Sequence, residues 1–412
     1  MRNCIIAQSG GPTPVINASA AGILSANKLQ GFFDNVYGGI NGIEGIINEK
    51  IINLTCINEA QIHNLKYTPS SALGSCRYKL STLEKSEKEY EKIFDILDKY
   101  KIEAFFYIGG NDSMDTVSKL SQYAKDKSIN KVILGIPKTI DNDLVITDHC
   151  PGFASASRLI ATTVLETYLD STVYSNNGVF ILETMGRDTG WLAASGALAT
   201  LNGHPAADFI YLPERAFNNK DFLKDISKAY REKKHVYILV SEGLKNSDGT
   251  YLSELSKSDS QDNFGHAQLG GVSSYLKSLI VTSGITSRVK TLELGVMQRC
   301  GMHIVSGTDI AEAFGAGEFA LNCAQKGISA SMIGIKRLSN SPYVSEFTLI
   351  DADKVCNRIK YFPSEWINEK GNFITKEAID YIYPLINGCN DTVKTSALPS
   401  YFVIDKNNLI TA

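Results

Sequence analysis

Residues 105–125 read FFYIGGNDSMDTVSKLSQYAK: an apolar run, then Gly109-Gly110-Asn111-Asp112-Ser113, then a helical pattern from Met114 to Lys125. The same order recurs along the chain. Residues 5–7 run into Ser9-Gly10-Gly11, and 16–29 form a stretch rich in Ala and Leu that reads as a helix. Residues 132–136 run into PKTIDND at 137–143. Residues 178–182 lead into ETMGR at 183–187 with a small-residue helix expected near 190–199, and 235–240 end at Ser241-Glu242-Gly243. Short apolar runs alternating with helical periods predict strands buried on both faces of a largely parallel α/β sheet. Such sheets bind ligands in the loops past the carboxyl ends of their strands. All five loops carry Gly, a charged residue (Asp, Glu, Lys or Arg) or both, which points to an active site.

Composition narrows the classes. The 412 residues carry 41 Lys+Arg against 44 Asp+Glu, a net charge of −3, which excludes the clustered positive field of a nucleic-acid binder. At 43% hydrophobic residues the chain has enough apolar surface to fold, and its length suggests two or three domains. No apolar window approaches a membrane span, and the four-residue apolar run from Cys4 is too short for a secretion signal. Eight scattered cysteines without a C-x-x-C pair fit a reduced, cytoplasmic protein, and the six histidines form no zinc pattern. Residues 79–101 read as a charged amphipathic helix burying Leu83, Tyr90, Ile93, Phe94 and Leu97, and 246–265 as a polar loop.

Each loop admits a structural and a chemical reading. Gly10 and Gly11 either make a tight turn or offer backbone N–H groups to a phosphate at a helix N-terminus. In PKTIDND, Thr139, Asp141 and Asp143 share one side of an extended loop, with Lys138 opposite unless the loop bends. Such a set can orient and deprotonate an alcohol, with the second carboxylate steadying the first or holding Mg²⁺ and Lys138 offsetting phosphate charge. An Asx-rich turn is the structural alternative. In GGNDS the glycines admit a phosphate, Asn111 or Asp112 can reach a metal, and Asp112 or Ser113 can equally cap the helix. Asp112 beside phosphate oxygens must either bind through a cation or exclude a bulkier anion. Arg77, Arg187 and Arg299 can clamp phosphate or pair on the surface. Glu242 can accept from sugar hydroxyls or cap a following helix.

Taken in order, SGG at 9–11, GSCR at 74–77, GGNDS at 109–113, PKTIDND at 137–143, ETMGR at 183–187, SEG at 241–243 and LGVMQR at 294–299 resemble the phosphofructokinase family. ATP-using members typically carry GGDGS and PGTIDND. Asp112 and Lys138 in the corresponding places resemble the pyrophosphate-dependent branch, because the Asp112 carboxylate would occupy the space and charge of an ATP α-phosphate.

The resemblance implies two Rossmann-like α/β domains with parallel-rich sheets and an active site in the cleft between them. Residues 1–153 with 299–340 would bind the donor and 154–298 the sugar phosphate. Residues 341–412 would add a mainly helical extension, including a helix near 375–383. The implied reaction is a reversible glycolytic transfer of phosphoryl from pyrophosphate to the 1-hydroxyl of fructose 6-phosphate, giving fructose 1,6-bisphosphate and phosphate. An ATP-dependent 6-phosphofructokinase and a non-catalytic sugar-phosphate-binding regulatory subunit are the alternatives. By resemblance, Asp141 is the base, oriented by Thr139 and Asp143, and Arg77 bridges the transferred phosphoryl. Gly10, Gly11, Gly110, Asp112 and Lys138 line the pyrophosphate site. Thr139, Ile140, Asp141, Met185, Gly186, Arg187 and Glu242 hold the sugar phosphate, and Arg299 its 6-phosphate. Asn111 stands where the family has Asp, so Mg²⁺ would be held mainly by pyrophosphate and water, with Asn111 and Asp112 as the protein candidates. Gly178, Val296 and Lys290 replace basic residues that the family uses around the 6-phosphate, leaving Lys290 or Arg288 as substitutes. A homodimer or higher homo-oligomer is expected.

Overall fold

The computed structural model describes residues 2–256, 271–388 and 397–410. Its strands are β1 (Asn3–Gln8), β2 (Asn35–Gly39), β3 (Ile51–Asn53), β4 (Ile102–Gly109), β5 (Val132–Pro137), β6 (Gly178–Thr184), β7 (Thr200–Leu201), β8 (His204–Pro205), β9 (Phe209–Tyr211), β10 (His235–Ser241), β11 (Val289–Glu293), β12 (Ser331–Asn340) and β13 (Tyr343–Asp351). Seven form one sheet in the order β13-β12-β5-β4-β1-β2-β3, parallel except at its two edge pairs, β12 with β13 and β2 with β3. A second sheet, β11-β6-β10-β9, is parallel throughout.

The continuous apolar runs are explained by this layering. Every residue of β1, β6 and β10 is buried, because helices cover both faces of each sheet. On the larger sheet, helices Ile16–Gln30 and Gly307–Gln325 share one core with Ile6 and Phe106. Helices Glu87–Lys99 and Asn111–Asp126 cover the other face over Ile5 and Phe105. The first pair approach closely enough that a Cβ on Gly22 would stand 2.0 Å from the Phe314 carbonyl oxygen. The smaller sheet packs against helix Phe153–Ser171 and against tail residues Phe362, Ile367, Ala378 and Leu385.

Two expectations change. The charged helix begins at Glu87, not near 79. Its lead-in is instead tied back onto it: Tyr90 Oη donates to the Ser81 carbonyl at 2.6 Å, and Tyr78 Oη donates to Glu89. Tyr90, Ile93, Phe94 and Leu97 are buried as expected. The extension is not mainly helical, for it contributes β13, whose residues alternate in exposure as an edge strand with one wet face does. Helix Lys376–Ile382 falls where one was expected. The polar stretch 246–265 is described to Ser256, with a bridge between Lys245 and Tyr251 and a 3-10 turn at Leu252–Ser256; its remainder lies outside the described residues.

The consequence for function is directional. The carboxyl ends of β1, β4 and β5 from one sheet, and of β6 and β10 from the other, open onto the same cleft.

Candidate active site

The cleft has a volume of about 590 Å³. Loops that lie more than a hundred residues apart in sequence meet there: Gly10 and Gly11, Arg77, Gly110 to Asp112, Lys138 to Asp143, Met185 with Arg187, Glu242 and Arg299. Gly186 does not line the cleft; its N–H donates to Glu242 Oε1 at 3.3 Å, so it shapes the loop from behind. Its carbonyl in turn accepts from Ser241 Oγ at 2.5 Å.

At the donor end, the first loop turns at Gly10 with φ 76°, a left-handed conformation that favours Gly. Lys138 Nζ donates to the Gly11 carbonyl at 2.7 Å, and Lys138 is only 3% exposed. The loop therefore does bend, bringing Lys138 to the same cleft as the carboxylates. Burial, then the nearby Arg299 guanidinium, pull the Lys138 ammonium down to about 8, while Asp143 and Asp141 push the other way. Helix Asn111–Asp126 starts beside it with Gly110 as its cap residue and no side-chain cap. Asp112 and Ser113 thus lie inside the first turn, which removes the capping reading of this loop. Gly109 is required here: a Cβ would sit 1.9 Å from Ser113 Oγ.

Asn111 departs from its expected metal-facing role. Its amide nitrogen donates to the Arg358 carbonyl at 2.5 Å, and its amide oxygen accepts from Asn357 N–H at 2.6 Å. The side chain clasps the tail.

The loop at 137–143 holds three polar groups in a small space. Asp141 N–H donates to Thr139 Oγ1 at 3.1 Å, and the Asp141 carbonyl accepts from Thr189 Oγ1 at 3.1 Å. Desolvation, then the like charge of Asp143, lift the Asp141 carboxyl to about 7, against the pull of Arg299. Burial also raises Asp143, countered by a hydrogen bond from Thr139. A carboxylate near 7 is poised to accept a proton at neutral pH.

On the sugar side, Met185 N–H donates to Gln298 Oε1 at 3.2 Å, and Glu242 N–H to the Thr184 carbonyl at 2.9 Å. No helix directly follows Glu242, so its carboxylate faces the cleft rather than capping one. Arg299, expected at the sugar 6-phosphate, packs on the donor loop: a Cβ at Gly11 would lie 3.2 Å from its Cζ. Lys290 and Arg288 do not line the cleft; Lys290 Nζ is 3.4 Å from Asp170 and the Arg288 guanidinium lies over Tyr174. A side chain at Gly178 would collide with the Arg288 carbonyl oxygen at 2.1 Å.

Sequence reasoning missed Tyr78 and Asp188, each next to a residue it named, and read Lys79 as the start of a surface helix. With them, the cleft carries five basic side chains (Arg77, Lys79, Lys138, Arg187, Arg299) and five carboxylates (Asp112, Asp141, Asp143, Asp188, Glu242). Such a balance suits two anionic substrates that must also lose and gain protons.

The chain is similar to known proteins. The model of the phosphofructokinase family matches residues 3–321. The pyrophosphate–fructose 6-phosphate 1-phosphotransferase of Methylococcus capsulatus is 39% identical over 98% of this chain and 96% of its own. The sulfofructose kinase of Alkalicoccus urumqiensis is 34% identical over 89% of this chain and 92% of its own. A crystal structure of pyrophosphate-dependent phosphofructokinase from Marinobacter aquaeolei superposes with a TM-score of 0.88 at 34% identity, covering 100% of this chain and 98% of that one. With the family model covering residues 3–321 and relatives 34–39% identical over 89–98% of its length, the chain belongs to the phosphofructokinase family.

Proposed function

We propose that this chain transfers a phosphoryl group reversibly from pyrophosphate to the 1-hydroxyl of fructose 6-phosphate. The observation that carries the reading is Asp112 and Lys138 at the donor end of the same cleft that holds Asp141. Asp141 accepts the proton of the 1-hydroxyl as that oxygen attacks the nearer phosphorus. The bridging P–O bond breaks and phosphate leaves. Lys138 and Arg77 face the charge that gathers on the transferred group, and Gly10, Gly11 and Gly110 let its oxygens approach the backbone. Thr139 and Asp143 hold Asp141 in place. Met185, Arg187 and Glu242 receive the sugar phosphate, Gly186 shapes their loop from behind, and Arg299 lies between the two substrates. Pyrophosphate and the ester formed are closer in energy than ATP and that ester, which favours a reaction running in both directions.

Among the described residues, no three His, Cys, Asp or Glu side chains gather to hold a metal. With the Asn111 amide engaged by the tail, Asp112 is the protein oxygen ligand left at the donor loop. Those residues fit a Mg²⁺ carried chiefly by pyrophosphate oxygens and water, with Asp112 as its protein contact; bound there, it would neutralise phosphate charge.

We assign donor binding to residues 1–153 with 299–340 and sugar binding to 154–298, and place the enzyme in the cytoplasm as a homo-oligomer, a dimer first. Val296 and Met297, beside Arg299, are 68% and 46% exposed, which suits burial against a second copy. Among the described residues no helix is long and apolar enough to cross a membrane.

Purified protein given fructose 6-phosphate with either donor tests the reading. Turnover with pyrophosphate and little with ATP is expected; robust ATP turnover with none from pyrophosphate overturns it.

A further inference from the structure

Behind the base loop lies a cation that the chemistry above does not use. Lys360 belongs to the tail, beyond the residues that match the family model. Its ammonium donates to Asn142 Oδ1 at 3.2 Å, to the Thr147 carbonyl at 3.2 Å and to the Asp148 carbonyl at 2.7 Å. Three protons meet three acceptors, so the ammonium is saturated by protein. The main chain of the same residue completes the grip. Lys360 N–H donates to the Asp143 carbonyl at 2.8 Å, and its own carbonyl accepts from Trp191 Nε1 at 3.0 Å.

Asn142 is the residue between the two carboxylates, and its φ of 53° is left-handed. A non-glycine residue held there is maintained by its surroundings rather than by its own preference. Those surroundings are identifiable: Asn142 Oδ1 accepts from Lys360 Nζ and from Cys150 N–H at 3.1 Å, and the side chain is fully buried. Two and three residues earlier, the same tail segment clasps Asn111 of the loop after β4 through the Arg358 carbonyl and Asn357 N–H. One short strap therefore fixes both loops between which the phosphoryl group must pass.

We propose that Lys360 is a positioning residue for phosphoryl transfer, holding the Asn142 turn so that Asp141 meets the acceptor hydroxyl in line with the donor. Misplacing a reacting group by about 1 Å costs on the order of 10²-fold in rate while leaving binding contacts in place. This inference rests on the reading of Asp141 as the base.

The test compares Lys360→Met, Lys360→Arg and Arg337→Met with the parent enzyme. Arg337 pairs with Asp148 in the same polar region but makes no contact with Asn142 or Asp143, so it controls for lost stability. For Lys360→Met, kcat should fall about 10- to 100-fold with KM for fructose 6-phosphate and pyrophosphate within about threefold. Lys360→Arg should recover at least about fivefold of that loss, and Arg337→Met should keep kcat within about threefold. Should Lys360→Met not fold, Asn142→Gly decides the matter, because Gly accepts the left-handed backbone but lacks the amide that Lys360 holds. It should lose kcat with KM preserved. Parent-like kcat in Lys360→Met or in Asn142→Gly, or equal kcat losses in Lys360→Met and Arg337→Met, overturns the proposal. A parent enzyme inactive with pyrophosphate overturns the underlying reading instead, so the two failures are distinguishable.

Discussion

Replacing Asp143 with Asn removes one negative charge from beside Asp141 while keeping the shape of the side chain. Asp141 is lifted to about 7 by burial first and by Asp143 second; Arg299 and Lys138 oppose this and Glu242 assists it. A base with that pKa is about one-tenth ionised at pH 6 and about nine-tenths at pH 8. The kcat/KM for fructose 6-phosphate, which reports groups of the free enzyme, should therefore rise roughly fivefold across that interval, the tenfold gain in ionised Asp141 being halved by pH 8 as Lys138 loses its proton. Lys138, drawn down to about 8, must stay protonated to meet phosphate charge, so the profile should fall again above it.

The signs for Asp143→Asn then follow. Without the like charge, Asp141 ionises more easily and the acid limb moves to lower pH, by on the order of one unit. The Asp143 charge also supports the protonated form of Lys138, so its removal moves the alkaline limb down too. The whole bell shifts toward acid. Its height will fall as well, since Asp143 holds the base, but limb positions are independent of height. The assay is direct phosphate release with fructose 6-phosphate and pyrophosphate both well below their KM, at fixed excess Mg²⁺, from pH 5 to 9.5 at constant ionic strength. An acid limb that stays put or moves upward would refute the assignment of Asp141 as the base whose ionisation Asp143 opposes.

Three further outcomes are expected. Asp141→Ala should lower kcat by about 10²–10⁴; a loss below about tenfold would favour a non-catalytic, sugar-phosphate-binding role. Asp112→Gly combined with Lys138→Gly should weaken turnover with pyrophosphate and admit weak use of ATP, measured by donor-swap kinetics, and an unchanged pyrophosphate rate would contradict the donor argument. Buried His149 bonds Asp148 at 2.8 Å and Glu312 at 2.6 Å. Although desolvation alone would lower it, Glu312 and Asp148 together raise it to about 9 from 6.5. A raised His stabilises the fold fully below the unfolded value near 6.5 and loses that contribution as pH rises through about 9. The rise from 6.5 to about 9 corresponds to about 3 kcal/mol. The urea-unfolding gap between parent and His149→Gln should therefore narrow by about that amount between pH 6 and 10, and parallel stability curves would count against it.

What could be read in the sequence was what is local to it. Strands buried on both faces announce themselves as unbroken apolar runs, and loops past their carboxyl ends are where ligands bind, so Asp112, Lys138, Asp141, Arg187 and Glu242 could be named from neighbours a few residues away. Strand β13 escaped because an edge strand with one wet face alternates weakly and shows no such run. Arg299 was assigned by its motif to the far end of the sugar, yet its guanidinium rests against Gly11, nearly three hundred residues upstream. The base loop makes the same point more sharply. PKTIDND identifies the groups that do chemistry, but the turn at Asn142 that aims them is held by an ammonium 218 residues later. No periodicity marks that residue, since a lone Lys in an irregular segment looks like any solvated side chain. On the proposed mechanism the motif encodes which atoms react, and the tail encodes where they point. A relative that keeps PKTIDND but lacks a cation at this tail position should bind both substrates and transfer phosphate slowly, unless a different donor reaches the Asn142 amide.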